Sequence, residues 1–291
     1  MHVLYDKPFH ISRCAVMKGM CALAALFLLY GVLFLQPAFA AGEAGKERIN
    51  PTTGAEMNSL LAPSGVLRVA INLGNAVLAR LNEKGEPDGI SVDLARELAR
   101  QRGLPITLHP VNAAAKSVEA VLSGEVDLGF FAVDPTRGGA GIIFTDPYVL
   151  IEGWYLVREK SPFTDNASVD QPGVRIVVGK GSAYDLFLSR EIKRATLDRG
   201  TTTPEVVDYF VKNNLEVAAG IRQQLEADMK RFPGMRLLPE RFMVIRQAMG
   251  VPASRGEAVA QFLNGFLQEA RTNGFLAGLL VKHGAAGATI P

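Results

Sequence analysis

Residues 124–148 read GEVDLGFFAVDPTRGGAGIIFTDPY, and the order of elements in this stretch decides the fold class. Val126 to Val133 is an almost unbroken apolar run, which predicts a strand buried on both faces, as in a parallel sheet. Asp134-Pro135-Thr136-Arg137 follows directly. Asp134 is a favourable N-cap and Pro135 suits the first helical position, so the pattern predicts a helix start here. Arg137 then falls in the first turn, at the carboxyl end of a strand, the edge where open α/β sheets bind ligands. Its planar fork matches a carboxylate. Gly138-Gly139-Ala140-Gly141 lacks the spacing of a dinucleotide fingerprint.

Working outward, residues 66–73 (VLRVAINL) predict a buried strand, residues 82–89 a hairpin tip, and residues 91–102 a helix capped by Ser91. Leu94, Ala95, Leu98 and Ala99 give that helix one apolar stripe, and Gly103 stops it. Residues 105–111 predict the next strand, and Ser117 the cap of a short helix ending at Gly124. Strands alternating with helices make an α/β lobe. Residues 144–157 predict a crossing into a second lobe. There residues 174–178 form a strand, the turn Gly179-Lys180-Gly181-Ser182 opens a helix over 183–195, and residues 201–204 cap a helix running to Phe210. A strand at 215–219 and a helix at 222–231 follow. Residues 236–238 and 242–251 lead back, and amphipathic residues 257–273 and the segment 275–283 complete the fold. The predicted divisions are 41–60 a flexible leader, 61–150 the first lobe, 151–252 the second and 253–291 the return to the first.

The first 40 residues predict a secretory signal. Met20 to Leu35 is almost wholly apolar, Arg13 and Lys18 precede it, and Ala38 and Ala40 form an A-x-A site, so cleavage is expected after Ala40. Met17 offers a more ordinary signal start than Met1. Cys14 and Cys21 leave with the signal, so no disulfide, cysteine nucleophile or thiolate metal site is expected. The chain carries 31 Lys+Arg against 29 Asp+Glu, and removing Lys7, Arg13, Lys18 and Asp6 brings the balance to zero. That gives no support to a nucleic-acid or membrane-surface partner. His109 and His283 lack ligand spacing for zinc, and no G-x-S-x-G elbow occurs. No cofactor, metal or catalytic residue is expected.

The secretory signal, the opening LRVAINLG…GISVDLARELARQRG and the 124–148 stretch together resemble the bacterial periplasmic solute-binding proteins of family 3, the ligand-catching subunits of ABC importers. The resemblance spans roughly residues 64–284. It implies a type II periplasmic-binding-protein-like α/β fold: two lobes, each a mostly parallel sheet flanked by helices, joined by two crossings around a ligand cleft. It also implies a periplasmic protein, expected to be a monomer, that offers an anionic or zwitterionic small solute to an ABC permease. In the family a run like Asp134–Arg137 places an arginine on the ligand carboxylate, and Gly181-Ser182-Ala183 resembles a second anchor at a helix N-terminus.

Several positions depart from the family pattern. Ala132 stands where relatives often carry a hydroxyl, and the loop Gly74–Leu78 lacks a stacking aromatic, leaving Asn75 as a candidate hydrogen-bonding residue. Where amino-acid binders often hold the ammonium with an aspartate, this chain has Ile221, which places a standard α-amino acid in doubt. Glu152 in the crossing is a candidate partner for a cationic group, and Tyr184 and Trp154 are candidate cleft walls. The expected ligand-binding set is Arg137, Ser182, Ala183, Ala132, Phe130, Asn75, Tyr184 and Glu152. Two alternatives share the fold. One is an enzyme like the periplasmic cyclohexadienyl dehydratases, which use a cleft carboxylate as general acid on a dicarboxylate. The other is a ligand-sensing adaptor.

Overall fold

The computed structural model of this protein describes residues 53–291. The predicted signal, its cleavage site, Cys14, Cys21, the start at Met17 and residues 41–52 of the leader lie outside the described residues. The end of the predicted leader is not a loose segment: α1 (Gly54–Leu61) is a helix closed by a capping box between Thr53 and Glu56. It buries Met57 and Leu61, a contact that only the tertiary fold supplies.

In the first lobe, strands and helices alternate: β1 (Leu67–Asn72), a hairpin of β2 (Arg80–Leu81) and β3 (Pro87–Asp88), α2 (Ile90–Arg102), β4 (Ile106–Val111), α3 (Ala114–Leu122), β5 (Leu128–Ala132), α4 (Pro135–Gly139) and β6 (Ile142–Phe144). β7 (Val149–Arg158) leads into the second lobe. That lobe continues with β8 (Arg175–Gly179), α5 (Ala183–Glu191), β9 (Thr196–Gly200), α6 (Val206–Lys212), β10 (Val217–Ile221), α7 (Arg222–Arg231) and β11 (Met235–Leu237). β12 (Met243–Pro252) leads back to α8 (Glu257–Thr272) and α9 (Phe275–Lys282).

β1 pairs in parallel with β4 and β5, and β8 in parallel with β9 and β10. Between these two parallel groups lie β12 and β7, antiparallel to each other; β12 also pairs with β5 and β7 with β10. The order β4-β1-β5-β12-β7-β10-β8-β9 therefore runs unbroken through both lobes. The apolar runs LGFFA of β5 and VAAGI of β10 are buried along their whole length, as strands covered on both faces must be.

Several local expectations are corrected. α2 begins at Ile90, not after Ser91, and its cap is Gly89. Gly89 has φ 137°, and a Cβ there would lie 2.4 Å from the Leu78 carbonyl oxygen, so only glycine fits. Ser91 is buried instead, its hydroxyl 3.1 Å from that of Tyr148. Ser117 does not cap α3, which starts at Ala114; it lies buried inside the helix. The helix predicted over 183–195 ends at Glu191, and residues 196–200 form β9, a partly exposed edge strand whose polar TLDRG sequence shows no apolar alternation. Asp127, at the start of the predicted strand, is a wholly buried ion-pair centre. Arg68 donates to it from Nε and Nη2 at 3.0 and 2.8 Å, and Arg255 from Nη2 at 2.7 Å.

Candidate functional site

β5 ends at Ala132, and Asp134 caps the short helix that follows, its carboxylate accepting from the Thr136 N–H at 2.8 Å. This turn carries Arg137 to the cleft side of the strand end. Arg137 is 4% exposed. Its Nη1 donates to the Ala132 carbonyl at 2.9 Å, and its Nη2 reaches across to the Gly181 carbonyl of the second lobe at 3.0 Å. Those bonds engage two of the five N–H donors of a guanidinium. Among the described residues no carboxylate forms an ion pair with it, and burial pushes its pKa down to about 10, with the more distant Asp134 opposing. Arg137 remains charged at neutral pH, with Asp134 at a distance and no carboxylate paired to it among the described residues.

The facing wall is the turn before α5. Gly181 has φ 69°, and a Cβ on it would come within 2.9 Å of Ala115 Cβ in the first lobe, so glycine allows the lobes to approach here. The turn is largely self-satisfied. Gly181 N–H donates to Asp185 at 2.8 Å, Ser182 N–H to the Gly179 carbonyl, and the Ser182 hydroxyl accepts from Asp185 N–H at 3.1 Å. The turn thus caps the helix, and the first-turn N–H groups of Ala183 and Tyr184 and the Ser182 hydroxyl proton remain. The Tyr184 hydroxyl is buried and without a hydrogen-bond partner among the described residues. Burial raises its pKa; Thr203, Ser182 and the Gly179 backbone are near enough to oppose the rise, but none has hydrogen-bond geometry.

These two walls border an open cavity whose space, adjoining solvent included, is about 530 Å³. From the first lobe it is lined by Asn72, Gly74, Asn75, Leu78 and Ser91 on one side and by Phe130, Phe131, Ala132 and Arg137 on another. The second lobe contributes Ser182, Ala183, Tyr184, Thr203 and Ile221, and β12 contributes Ile245 and Gln247. Outside the cavity the lobes also meet through Arg190 on α5, which donates to Asp134 at 2.8 Å. Burial would raise the Asp134 carboxyl, but Arg190 and the Thr136 N–H outweigh it and hold the group below its ordinary value.

Seven of the eight residues expected to contact ligand line this one cavity: Arg137, Ser182, Ala183, Ala132, Phe130, Asn75 and Tyr184. Glu152 does not. It lies on the crossing strand in an open surface recess with Trp154, Arg222 and Arg241. Its carboxylate accepts from Arg241 Nη1 at 2.6 Å and from the Trp154 indole N–H at 2.9 Å. Burial of the Glu152 carboxyl is outweighed by these donors, which hold it below the usual carboxylate range. Trp154 is likewise no cavity wall, since Arg222 stacks 4.8 Å from its ring centre. Strand alternation explains the miss: which face each residue of β7 takes depends on register. Gln247 and Thr203 escaped the sequence reading. For Gln247 there was a usable signal, a neutral amide in the apolar return strand VIRQAMGV, where a buried polar group needs a partner.

Residues 67–286 match the model of the bacterial extracellular solute-binding proteins, family 3. Among curated proteins the chain is 25% identical over 238 residues to the cyclohexadienyl dehydratase of Pseudomonas aeruginosa, covering 73% of this chain and 80% of that protein. A solved solute receptor for L-cysteine from Neisseria gonorrhoeae is 24% identical with a TM-score of 0.67, over 79% of this chain and 93% of that one. The lysine-complexed putative binding component of an ABC transporter from Wolinella succinogenes is 20% identical with a TM-score of 0.65, over 75% and 95%. Among the described residues no helix is long and apolar enough to cross a membrane.

Proposed function

The chain belongs to the bacterial extracellular solute-binding proteins, family 3, and we propose that within it this protein is the solute-capturing subunit of an ABC importer. It works in the periplasm, as a monomer, once its signal is removed after Ala40. It captures a small carboxylate-bearing solute, an amino acid or related organic anion, in the cavity between its lobes and offers it to an inner-membrane permease.

One observation carries the reading: Arg137 is a buried cation facing a cavity and has no carboxylate partner of its own. A buried charge without compensation is costly, and an incoming carboxylate supplies the missing partner. The ligand would touch Arg137 on one lobe and the Ser182–Tyr184 turn on the other. Contacts to both walls exist together only when the lobes are closed, so binding favours closure.

The test is a thermal-unfolding screen of the mature protein against amino acids, dicarboxylates, keto acids and amines, with Arg137→Ala alongside. A ligand at 100 times its dissociation constant stabilises by about 2.7 kcal/mol, a shift of roughly 5–10 °C for a chain of this size. A carboxylate hit that disappears in Arg137→Ala supports the clamp. A hit of equal size in both proteins removes Arg137 from the role.

Similarity to a dehydratase keeps a second reading in view. Such chemistry needs a general acid beside the substrate, and the cavity lining includes neither a carboxylate nor a histidine. Glu152, the candidate on the crossing strand, is turned to Arg241 and Trp154. Incubation with prephenate, a cyclohexadienyl dicarboxylate, is therefore expected to return it unchanged beyond the spontaneous rate. Enzyme-dependent loss would establish the catalytic reading.

A further inference from the structure

The cavity is one-sided in its chemistry. Its single charged group is a cation, Arg137, and no Asp or Glu is among its lining residues. The nearest acidic side chains in the two walls are engaged elsewhere, Asp134 with Arg190 and Asp185 with Gly181 N–H and Arg199. The polar groups that remain are neutral amides and hydroxyls, which carry no charge to meet an ammonium. Asn75 uses its side-chain oxygen on the Val77 N–H, which leaves its NH₂ for the cavity. Gln247 is buried in the lining and makes no side-chain hydrogen bond among the described residues. Tyr184 keeps a buried hydroxyl unpartnered. The remaining wall is apolar, built by Leu78, Phe130, Phe131, Ile221 and Ile245.

Such a cavity discriminates by charge. A carboxylate on Arg137 gains a counter-charge and bidentate geometry. An ammonium on the next carbon would sit beside a buried guanidinium, with no carboxylate to meet it and Ile221 closing the second-lobe side. Burying a cation unpaired is costly, and the neighbouring positive charge adds to the cost. An oxo or hydroxyl oxygen in the same place accepts from donors that otherwise go unused. We infer that the physiological ligand is a small 2-oxo or 2-hydroxy carboxylic acid with an apolar side chain and no ammonium group, held by Arg137 with the Asn75, Gln247 and Tyr184 donors around its second oxygen. This rests on the carboxylate-clamp reading of Arg137 and adds the exclusion of amino acids.

The experiment is a calorimetric comparison of matched triplets. Leucine, 4-methyl-2-oxopentanoate and 2-hydroxy-4-methylpentanoate form one set, phenylalanine and its oxo and hydroxy counterparts a second, and alanine, pyruvate and lactate a third. Each is titrated into the mature protein, into Arg137→Ala and into Ile221→Asp. The expected result is that, in at least one triplet, an oxo or hydroxy acid binds the wild type about 100-fold or more tighter than its amino partner, the order of discrimination a site achieves when one partner leaves polar groups unpaired. Ile221→Asp is expected to narrow or reverse that ratio. An amino acid binding the wild type as tightly as its oxo partner, with binding lost in Arg137→Ala, would overturn this inference and leave the clamp intact. Absence of wild-type binding in all three triplets would overturn it as well. The clamp itself fails only if carboxylates bind undiminished in Arg137→Ala.

Discussion

The two ends of β5 hold buried charges of opposite sign under opposite conditions. At the amino end Asp127 is 0% exposed and is met by two arginines, Arg68 and Arg255. At the carboxyl end Arg137 is nearly as buried and meets backbone carbonyls only. Burial alone does not mark a site, because Asp127 is fully compensated within the fold and its work is to hold β1 and the segment after β12 together. What marks the carboxyl end is a charge whose compensation the fold withholds. The strand ends differ for a topological reason: successive parallel strands and their crossovers leave a crevice at the carboxyl edge, where a ligand can enter.

The largest test of this comparison is at the amino end. Asp127→Ala removes the carboxylate between two arginines that are mostly withdrawn from water, and urea unfolding is expected to show a loss of about 3 kcal/mol. A loss well under 1 kcal/mol would mean that solvent already satisfies those arginines, and the contrast would collapse. At the carboxyl end, Arg137→Leu is expected to weaken carboxylate binding at least about 100-fold, or about 2.7 kcal/mol. Its ligand-free Tm should stay level or rise, because an uncompensated buried charge has been removed. A large fall in ligand-free Tm would make Arg137 a structural residue like Asp127.

Tyr184→Phe sharpens the contrast within the cavity. Its hydroxyl has no partner to lose, so stability should hold, while affinity for the ligand falls about tenfold, measured by calorimetry. The smallest effect is expected outside the cavity, where Arg190, 40% exposed at its side chain, pairs with Asp134 across the lobes. Arg190→Ala should cost less than about 1 kcal/mol at neutral pH. The Asp134 carboxyl is held below its ordinary 3.8, so the stability it adds is present above that pH and is lost as the pH falls through the lower folded value. Asp134→Asn should therefore flatten the acid limb of the stability–pH curve, and an unchanged limb would show that the pair contributes nothing.

Much of the fold was legible in the chain. The apolar run 126–133, the Asp134-Pro135 helix start, the αL stop at Gly103 and the helices at 222–231 and 257–272 all depend on neighbours in sequence, through capping, backbone restriction and periodicity. The same local rules placed Arg137 at a strand's carboxyl end and Ser182 at a helix start. Three kinds of information lay beyond them. α1 opens on a local signature, the Thr53–Glu56 capping box, but its anchoring by buried Met57 and Leu61, like the parallel register of β9 with β8, is set by tertiary packing. The face taken by Glu152 and Gln247 depends on the pairing of β7 with β12, whose partner residues lie 90 to 98 positions apart in sequence. Sequence by itself thus determined the α/β alternation and the carboxylate-matching arginine, because both follow from residue type and short-range order. Only the tertiary structure decided that Asp127 is compensated and Arg137 is not, because a charge's partners are set by long-range packing that brings distant side chains within hydrogen-bond reach, or leaves them out of it.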